Sequence, residues 1–190
     1  MSLSLRVEAL LGQGLLSQAK ALLDAEPSLP SSLYATQIHL QTQTGDPQQA
    51  RLAAEALLKR QVDRQTEIVC LEVIGRSLLV YGRSQGDALR ALRKARQLAA
   101  EHCSSSVEAR LASSHVDALL HWVSLEEAAE EIPALRRLAF KAGDAGSLIT
   151  THLLQAEIRT KRMQLNRAIA ELRVAQDLLA AHPNVVLLGK

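Results

Sequence analysis

Apolar residues recur along this chain at the three- and four-residue intervals that place them on one face of an α-helix. Two examples are the sets Leu89, Leu92, Ala95 and Ala99, and Leu172, Ala175, Leu178 and Leu179. The periodicity predicts ten helices, over residues 3–12, 15–25, 31–44, 47–60, 64–83, 87–102, 106–122, 125–142, 146–163 and 166–182. Because only a few residues separate them, successive helices are expected to lie antiparallel and in contact.

Residues that start helices occur between these segments. Asp46 followed by Pro47 is typical of a helix start, and the pairs Ser105/Glu108 and Ser124/Glu127 fit the capping box, in which a hydroxyl and a carboxylate satisfy free N–H groups. Four further residues could cap helices: Asp63, Asp87, Asp144 and Asn166. Pro133 lies inside a predicted helix and is expected to kink it or delay its regular start.

Every second helix begins with a short turn, polar residues, an alanine and then leucines. The leading alanines are Ala19, Ala50, Ala88, Ala128 and Ala168, spaced 31, 38, 40 and 40 residues apart. Such a recurrence favours an all-α solenoid of helix pairs, in which stacked pairs share one core. The pairs would cover residues 3–25, 31–60, 64–102, 106–142 and 146–182 of a single domain, 1–190. A helical bundle with helices of similar length is the alternative.

Small residues in the last pair carry a resemblance to a known family. Ala156, Ala168 and Ala175 stand twelve and seven residues apart, and Pro183 closes the repeat, which resembles the tetratricopeptide (TPR) superfamily. The set Ile38, Ala50, Leu57 keeps this spacing, and the set Gly75, Ala88, Ala95 needs one extra residue in the turn. The resemblance implies a right-handed superhelix of antiparallel helix pairs that approach closely at these positions.

The 40-residue spacing is longer than the usual TPR repeat. Together with the segment from Lys141 to Gly189, it resembles the helical sensor regions of bacterial transcriptional activators of the maltose-regulator type. That resemblance implies a repeat array beside an ATPase or receiver module. The final residues, 183–190, form an apolar segment that stops soon after it starts, so we expect the chain to be a fragment of a longer protein.

Composition narrows the classes of partner. Aromatic residues make up 2% of the chain, and 22 basic against 20 acidic residues give a net charge of +2. Without a clustered basic surplus, direct nucleic-acid contact is not expected. No apolar run is long enough to span a membrane, and Arg6 and Glu8 interrupt any signal-peptide core, so a cytoplasmic location is expected. Cys70 and Cys103 are expected to be buried thiols rather than a disulfide.

Catalytic and metal-binding patterns do not stand out. No two of the six histidines have the i, i+4 spacing of a helical zinc pair, and no G-x-S-x-G nucleophile motif occurs. The carboxylates Glu126, Glu127, Glu130 and Glu131 crowd the start of one helix, where the helix dipole favours negative charge. The chain is therefore expected not to be an enzyme, to have no catalytic or metal-binding residues, and to need no cofactor.

A curved array of helix pairs presents the first helix of each pair on its concave side. Helical spacing places seven residues toward that side: His39, Glu72, Arg76, Arg110, Asp117, Glu157 and Lys161. Charged side chains do not line a core unpaired, and a groove with both signs of charge suits a protein or peptide, or a polar small molecule. An ordinary solvated surface is the alternative for each residue.

Two functions follow from these observations. The first is a protein-interaction or ligand-sensing module of a bacterial transcriptional regulator, active in signal transduction. The second is a scaffold or adaptor that promotes assembly, including self-association. Because Val185, Val186, Leu187 and Leu188 would otherwise face water, a homo-oligomer through the array ends is also expected.

Overall fold

The computed structural model describes residues 2–80 and 84–182, and every regular element in these ranges is an α-helix. The helices are α1 (Leu3–Gly12), α2 (Leu16–Asp24), α3 (Ser31–Thr44), α4 (Pro47–Leu58), α5 (Arg64–Val80), α6 (Gln85–His102), α7 (Ser105–Trp122), α8 (Leu125–Ala142), α9 (Ala145–Lys161) and α10 (Leu165–Ala181). Each begins and ends within three residues of its predicted bounds. The predicted terminal segment 183–190 lies outside the described residues.

Side-chain caps fix several helix starts. The carboxylates of Asp46 and Asp144 each accept hydrogen bonds from two backbone N–H groups of the helix that follows, and the Ser124 hydroxyl accepts one from the backbone N–H of Glu127. These three predicted caps are confirmed. The backbone N–H of Thr66 donates to Asp63 Oδ1 over 2.9 Å, so Asp63 caps α5 as well.

Three other predicted caps are wrong. Ser105 is already the first residue of α7, and Ser104, which precedes it, makes no side-chain cap. Asn166 lies inside the first turn of α10, and Asp87 lies inside the first turn of α6. Helix α7 begins at Ser105 itself, and α10 and α6 begin one and two residues before Asn166 and Asp87. These starts are possible because a helix start also tolerates solvated N–H groups. Pro133 does not delay the start of α8, which begins at Leu125.

Replacing Asp63 with alanine should lower the free energy of unfolding by about 1 kcal/mol at pH 7, a typical value for a lost N-cap. The hydrogen bonds from Thr66 lower the pKa of Asp63 below its usual range. A lowered folded-state pKa stabilises the fold above the unfolded-state value of about 3.9, and this contribution is lost as pH falls through the folded-state pKa. Urea unfolding should therefore show a smaller difference in the free energy of unfolding between the wild type and the variant at pH 2 than at pH 7.

The exposed Asp177, replaced with alanine, is the control and should change stability by less than about 0.5 kcal/mol. An equal loss for both variants at pH 7 would contradict the assignment of Asp63 as a cap.

The described residues form two compact units, with the boundary inside α6 between Leu98 and Ala99. In the first unit, α1 packs on α2, α2 on α3, α3 on α4, and α5 on both α3 and α4. Its core contains two apolar clusters, one around Val7, Ala19, Leu23 and Leu40, the other around Ala35, Ile38, Ala50, Ala54, Leu57, Cys70 and Val73. Helix α3, the first helix of its pair, thus contacts the first helix of the next pair, α5, as well as its own partner, α4.

The second unit repeats this arrangement. Helix α7 packs on α8, α8 on α9, α7 on α9, and α9 on α10. Its fully buried side chains include Leu111, Ile132, Leu135, Ile149, Leu154 and Ile158. In both units, the odd-numbered helices (called first helices below) alternate with the even-numbered helices (second helices). Neighbouring first helices are in contact at α3/α5 and at α7/α9.

Small residues lie where helices touch. The five leading alanines, Ala19, Ala50, Ala88, Ala128 and Ala168, are at most 3% exposed. Gly75 shows how close the approach is, because a Cβ atom there would lie 2.6 Å from Leu92 Cγ and 3.1 Å from the carbonyl oxygen of Ala88. The burial of the alanines and the close approach at Gly75 agree with the predicted role of small residues where paired helices touch.

Candidate functional site: polar clusters between neighbouring first helices

Polar side chains of α3 and α5 meet at the contact between these two first helices. His39 Nδ1 lies 4.0 Å from Glu72 Oε2, and Arg76 Nη1 lies 3.9 Å from Glu72 Oε1. Gln43 Nε2 lies 3.3 Å from His39 Nε2. We call His39, Gln43, Glu72 and Arg76 the His39 cluster. Three of the predicted site residues are thus neighbours: His39 on α3, and Glu72 and Arg76 on α5.

Glu72 is the buried member of the His39 cluster. Its side chain is 0% exposed, whereas those of His39 and Arg76 are 15% and 25% exposed. Removing a carboxylate from water costs several kcal/mol unless charged or hydrogen-bonding partners compensate. Arg76, one helical turn later on α5, is the cation beside one oxygen of Glu72, and His39, on α3, faces the other oxygen. The cluster therefore joins α3 to α5, and Arg76 is more exposed than His39 and Glu72.

A second cluster of similar composition lies between α7 and α9. His121 Nε2 lies 3.0 Å from Glu157 Oε1, and His121 Nδ1 lies 3.4 Å from Asp117 Oδ1. Lys161 Nζ lies 3.8 Å from Glu157 Oε1. We call Asp117, His121, Glu157 and Lys161 the His121 cluster. The predicted residues Asp117, Glu157 and Lys161 are brought together through His121, which was not among the predicted site residues.

The two clusters share one plan. In each, a histidine of one first helix faces a glutamate of the next, and a cation follows that glutamate by four residues: Arg76 after Glu72 and Lys161 after Glu157. The His121 cluster is the more open of the two, because its side chains are 26–45% exposed. Both clusters offer an anion and a cation within a few ångströms, so a polar partner could exchange with the internal ion pairs.

Arg110 is the seventh predicted residue. It lies on α7, seven residues before Asp117, and this spacing puts the two side chains on the same face of the helix. Arg110 is half-buried, and its backbone oxygen accepts a hydrogen bond from the Ser114 hydroxyl over 3.4 Å. The face of α7 that carries the His121 cluster therefore extends two helical turns toward the N-terminus of the helix.

A third polar cluster joins α8, α9 and α10. Glu171 Oε2 lies 2.7 Å from His152 Nδ1 and 3.5 Å from Arg136 Nη2, and Glu171 Oε1 lies 3.1 Å from Arg159 Nη2. Arg159 lies in the last turn of α9 and faces Glu171 on the next helix. The cluster fastens three helices, and its only sequence signal is the presence of polar residues at positions that the helical period places toward a neighbour.

A separate cavity of about 240 Å³ lies in the first unit. Its lining combines residues of the α2–α3 connection with residues of α3 and the end of α4: Glu26, Pro27, Leu29, Ser31, Tyr34, Gln37, Leu57 and Arg60. None of the seven predicted residues lines it. Its volume is below the roughly 300–1,000 Å³ typical of small-molecule sites, so the polar clusters, rather than this cavity, are the candidate site.

The cysteines and the potential metal ligands add little chemistry. Cys70 is buried and Cys103 is half-buried, and both are free thiols, so the predicted burial holds fully only for Cys70. Burial raises the pKa of Cys70 to about 11, which keeps the thiol protonated and unreactive near neutral pH.

No set of three His, Cys, Asp or Glu side chains in residues 2–80 and 84–182 could hold a metal ion. None of the helices in those ranges combines the length and apolar character that crossing a membrane requires.

Comparison with known proteins bears on the fold. No protein-family model matches the chain, and no curated protein does. Among solved structures, a kinesin light chain-like protein of Podosopora anserina with nearly identical TPR-like repeats superposes with a TM-score of 0.62 over 94% of this chain and 93% of that one, at 14% sequence identity. The fold is TPR-like. The predicted all-α array of helix pairs is therefore confirmed, and the TPR resemblance is supported as a resemblance of fold.

Proposed function

We propose that the chain is a non-catalytic protein-interaction module with a binding surface in each unit: the His39 cluster in the first, and the His121 cluster with Arg110 in the second. The observation that supports this most is the repetition of one polar plan at two contacts between neighbouring first helices. Both clusters lie at a contact between neighbouring first helices, the second one helical turn further along, since Glu72 precedes Gly75 by three residues and Glu157 follows the matching Ala156 by one. A peptide segment carrying both acidic and basic residues would match the oppositely charged groups of either cluster.

A peptide suits these surfaces better than an enclosed small molecule. The clusters are surface features whose members are up to 45% exposed, whereas the 240 Å³ cavity lies elsewhere in the first unit. Ligand sensing is part of the proposal in this limited sense: the sensed ligand is a polar peptide or protein segment. The resemblance to maltose-regulator-type sensor regions supports a place in a cytoplasmic bacterial transcriptional regulator, where free thiols such as Cys70 are usual.

The proposal is tested by selecting peptides from a displayed random library on the immobilised chain and measuring their affinities by calorimetry. Peptides rich in carboxylates should bind the wild-type chain and lose about tenfold in affinity to Lys161→Glu or Arg110→Glu, because reversal replaces an attraction with a repulsion. The loss should diminish at high salt.

Arg173→Glu provides the matched control. Arg173 is an exposed arginine on α10, so its reversal changes the net charge equally without touching either cluster. If this control weakened binding as much as the cluster variants, the attraction would be one of net charge alone, and the proposed site would be wrong. Selected peptides that bound all variants equally would also refute the proposed site.

The second candidate function, a scaffold that promotes assembly or self-association, rests on a different observation. Helix α10 exposes large apolar side chains that include Leu165, Ile169 and Leu172, each about half exposed. Monomeric soluble proteins seldom leave a continuous apolar strip in water without a partner for it.

A further inference from the structure

The second helices share four core positions, and α10 departs from them. In α6 these positions are Ala88, Leu92, Ala95 and Ala99, and in α8 they are Ala128, Ile132, Leu135 and Ala139, none more than 2% exposed. The 40-residue spacing aligns the α8 set with Ala168, Leu172, Ala175 and Leu179 of α10. Ala168 and Ala175 are 3% and 4% exposed, but Leu172 is 48% and Leu179 is 40% exposed. Half of the core positions of α10 therefore face water.

The contacts of α8 explain this difference. Helix α8 packs against the first helix of its own pair, α7, and against the following first helix, α9, whereas among the described residues α10 packs against α9. Ala168 and Ala175 are the buried residues of α10, and α9 is the helix that packs against it, so these two alanines face α9. Leu172 and Leu179 occupy the positions that a following helix covers elsewhere. Leu172 and Leu179 are thus exposed where the equivalent Ile132 and Ala139 of α8 are buried.

These leucines belong to a longer row on α10. Leu165, Ile169, Leu172 and Leu179 are 52%, 47%, 48% and 40% exposed and follow the i, i+4, i+7, i+14 spacing of one helix face. We call this row the α10 stripe. From Leu165 to Leu179 the stripe covers fifteen residues, about 21 Å of helix. The remaining member of this face, Gln176, is uncharged.

We propose that the α10 stripe is the self-association surface of this chain, on which α10 of a second copy packs antiparallel about a two-fold axis at Leu172. The stripe is self-complementary in this orientation, because Leu165 and Leu179 lie seven residues on either side of Leu172. Leu165 of each copy then faces Leu179 of the other. Two-fold pairing through one shared patch is the commonest form of homo-oligomer.

Helix α1, at the other end of the described residues, fits the stripe less well. Helix α1 has ten residues, about 15 Å of length, and its one large exposed apolar side chain is Leu5. Head-to-tail docking of α1 would cover only part of the stripe. A second α10 supplies four large apolar side chains over the full length.

Sedimentation velocity over a range of protein concentrations tests the proposal. The wild-type chain should form dimers as concentration rises, and Leu172→Lys should weaken dimerisation at least about 100-fold, because two lysines would meet on the axis with apolar neighbours. Val174→Lys is the matched control: Val174 is 41% exposed on the same helix but points about 200° away from Leu172. This variant should dimerise like the wild type.

Further variants decide between occupants of the stripe. Leu5→Lys should leave the dimer intact; loss of association in that variant would show head-to-tail docking and overturn the proposal. A chain ending at His182 should also dimerise. If only the shortened chain dimerised, residues 183–190 would be the occupant, and the proposal would again be wrong.

The antiparallel orientation has its own readout. With Cys103→Ser in the background, mixed Leu165→Cys and Leu179→Cys chains should oxidise to a disulfide-linked pair faster than either chain alone. Equal rates would contradict the two-fold geometry. A wild-type chain that stayed monomeric at every concentration would overturn the proposal altogether.

Discussion

Gly75→Leu is expected to lower the free energy of unfolding by about 3 kcal/mol, at the upper end of the range for overpacked cores. A Cβ atom at position 75 would lie 2.6 Å from Leu92 Cγ and 3.1 Å from the backbone oxygen of Ala88. Neither atom is the free end of a flexible side chain, so α5 and α6 would have to separate. Urea unfolding followed by circular dichroism measures the loss.

Gly86→Ala is the control for this prediction. Gly86 lies in the exposed first turn of α6, where a new Cβ would meet only Arg90 Nη1, 3.7 Å away. Alanine there should stabilise the chain by up to about 1 kcal/mol, because it restricts the unfolded backbone and favours helix. If Gly75→Leu unfolded at the same urea concentration as the wild type, α5 and α6 would not approach as described.

Ile132→Ala should destabilise the chain by about 2–5 kcal/mol, whereas Leu172→Ala should cost less than about 0.5 kcal/mol in the monomer. The two residues occupy equivalent positions of α8 and α10, but Ile132 is 2% exposed and Leu172 is 48% exposed. Truncation of Ile132 leaves a cavity between packed helices, and truncation of Leu172 leaves none. Unfolding is measured at a protein concentration low enough to keep the chain monomeric.

Dimer stability provides the complementary measurement for this pair. Leu172→Ala should weaken self-association, since Leu172 would lie on the two-fold axis, even though the monomer is unaffected. Equal destabilisation of the monomer by both substitutions would mean that Leu172 is as buried as Ile132, and the alignment of α10 with α8 would then not explain the exposed stripe.

The helices could be predicted from the sequence because their determinants are local. The predicted starts of α4 and α8 coincide with the observed ones, since short capping motifs such as Asp46-Pro47 and Ser124/Glu127 act within one helical turn. Small residues were equally informative: Ala168 could be assigned to a helix contact because its side-chain volume limits how closely helices approach. The misplaced caps at Ser105 and Asn166 show the limit, since neighbouring polar residues compete for one role.

The polar clusters could be predicted only in part, because they depend on how separate helices are rotated against each other. Helical period predicted that Glu72 lies on the same side as His39 and Arg76, but it could not show that Glu72 is completely buried between α3 and α5. His121 was missed, although its position four residues after Asp117 is a local signal. Glu171 was also missed, because its partners His152 and Arg159 lie on another helix and only the three-dimensional packing brings them together.

Hydrogen–deuterium exchange with and without a bound peptide tests the proposed binding surface most directly. The tightest peptide from the library selection should slow exchange around the His39 cluster in α3 and α5, around the His121 cluster in α7 and α9, or around both, and it should leave the outer turns of α4 and α8 unchanged. Protection confined to α8 or α10, with none around His39, Glu72, His121 or Glu157, would contradict the proposal that neighbouring first helices form the interaction surface.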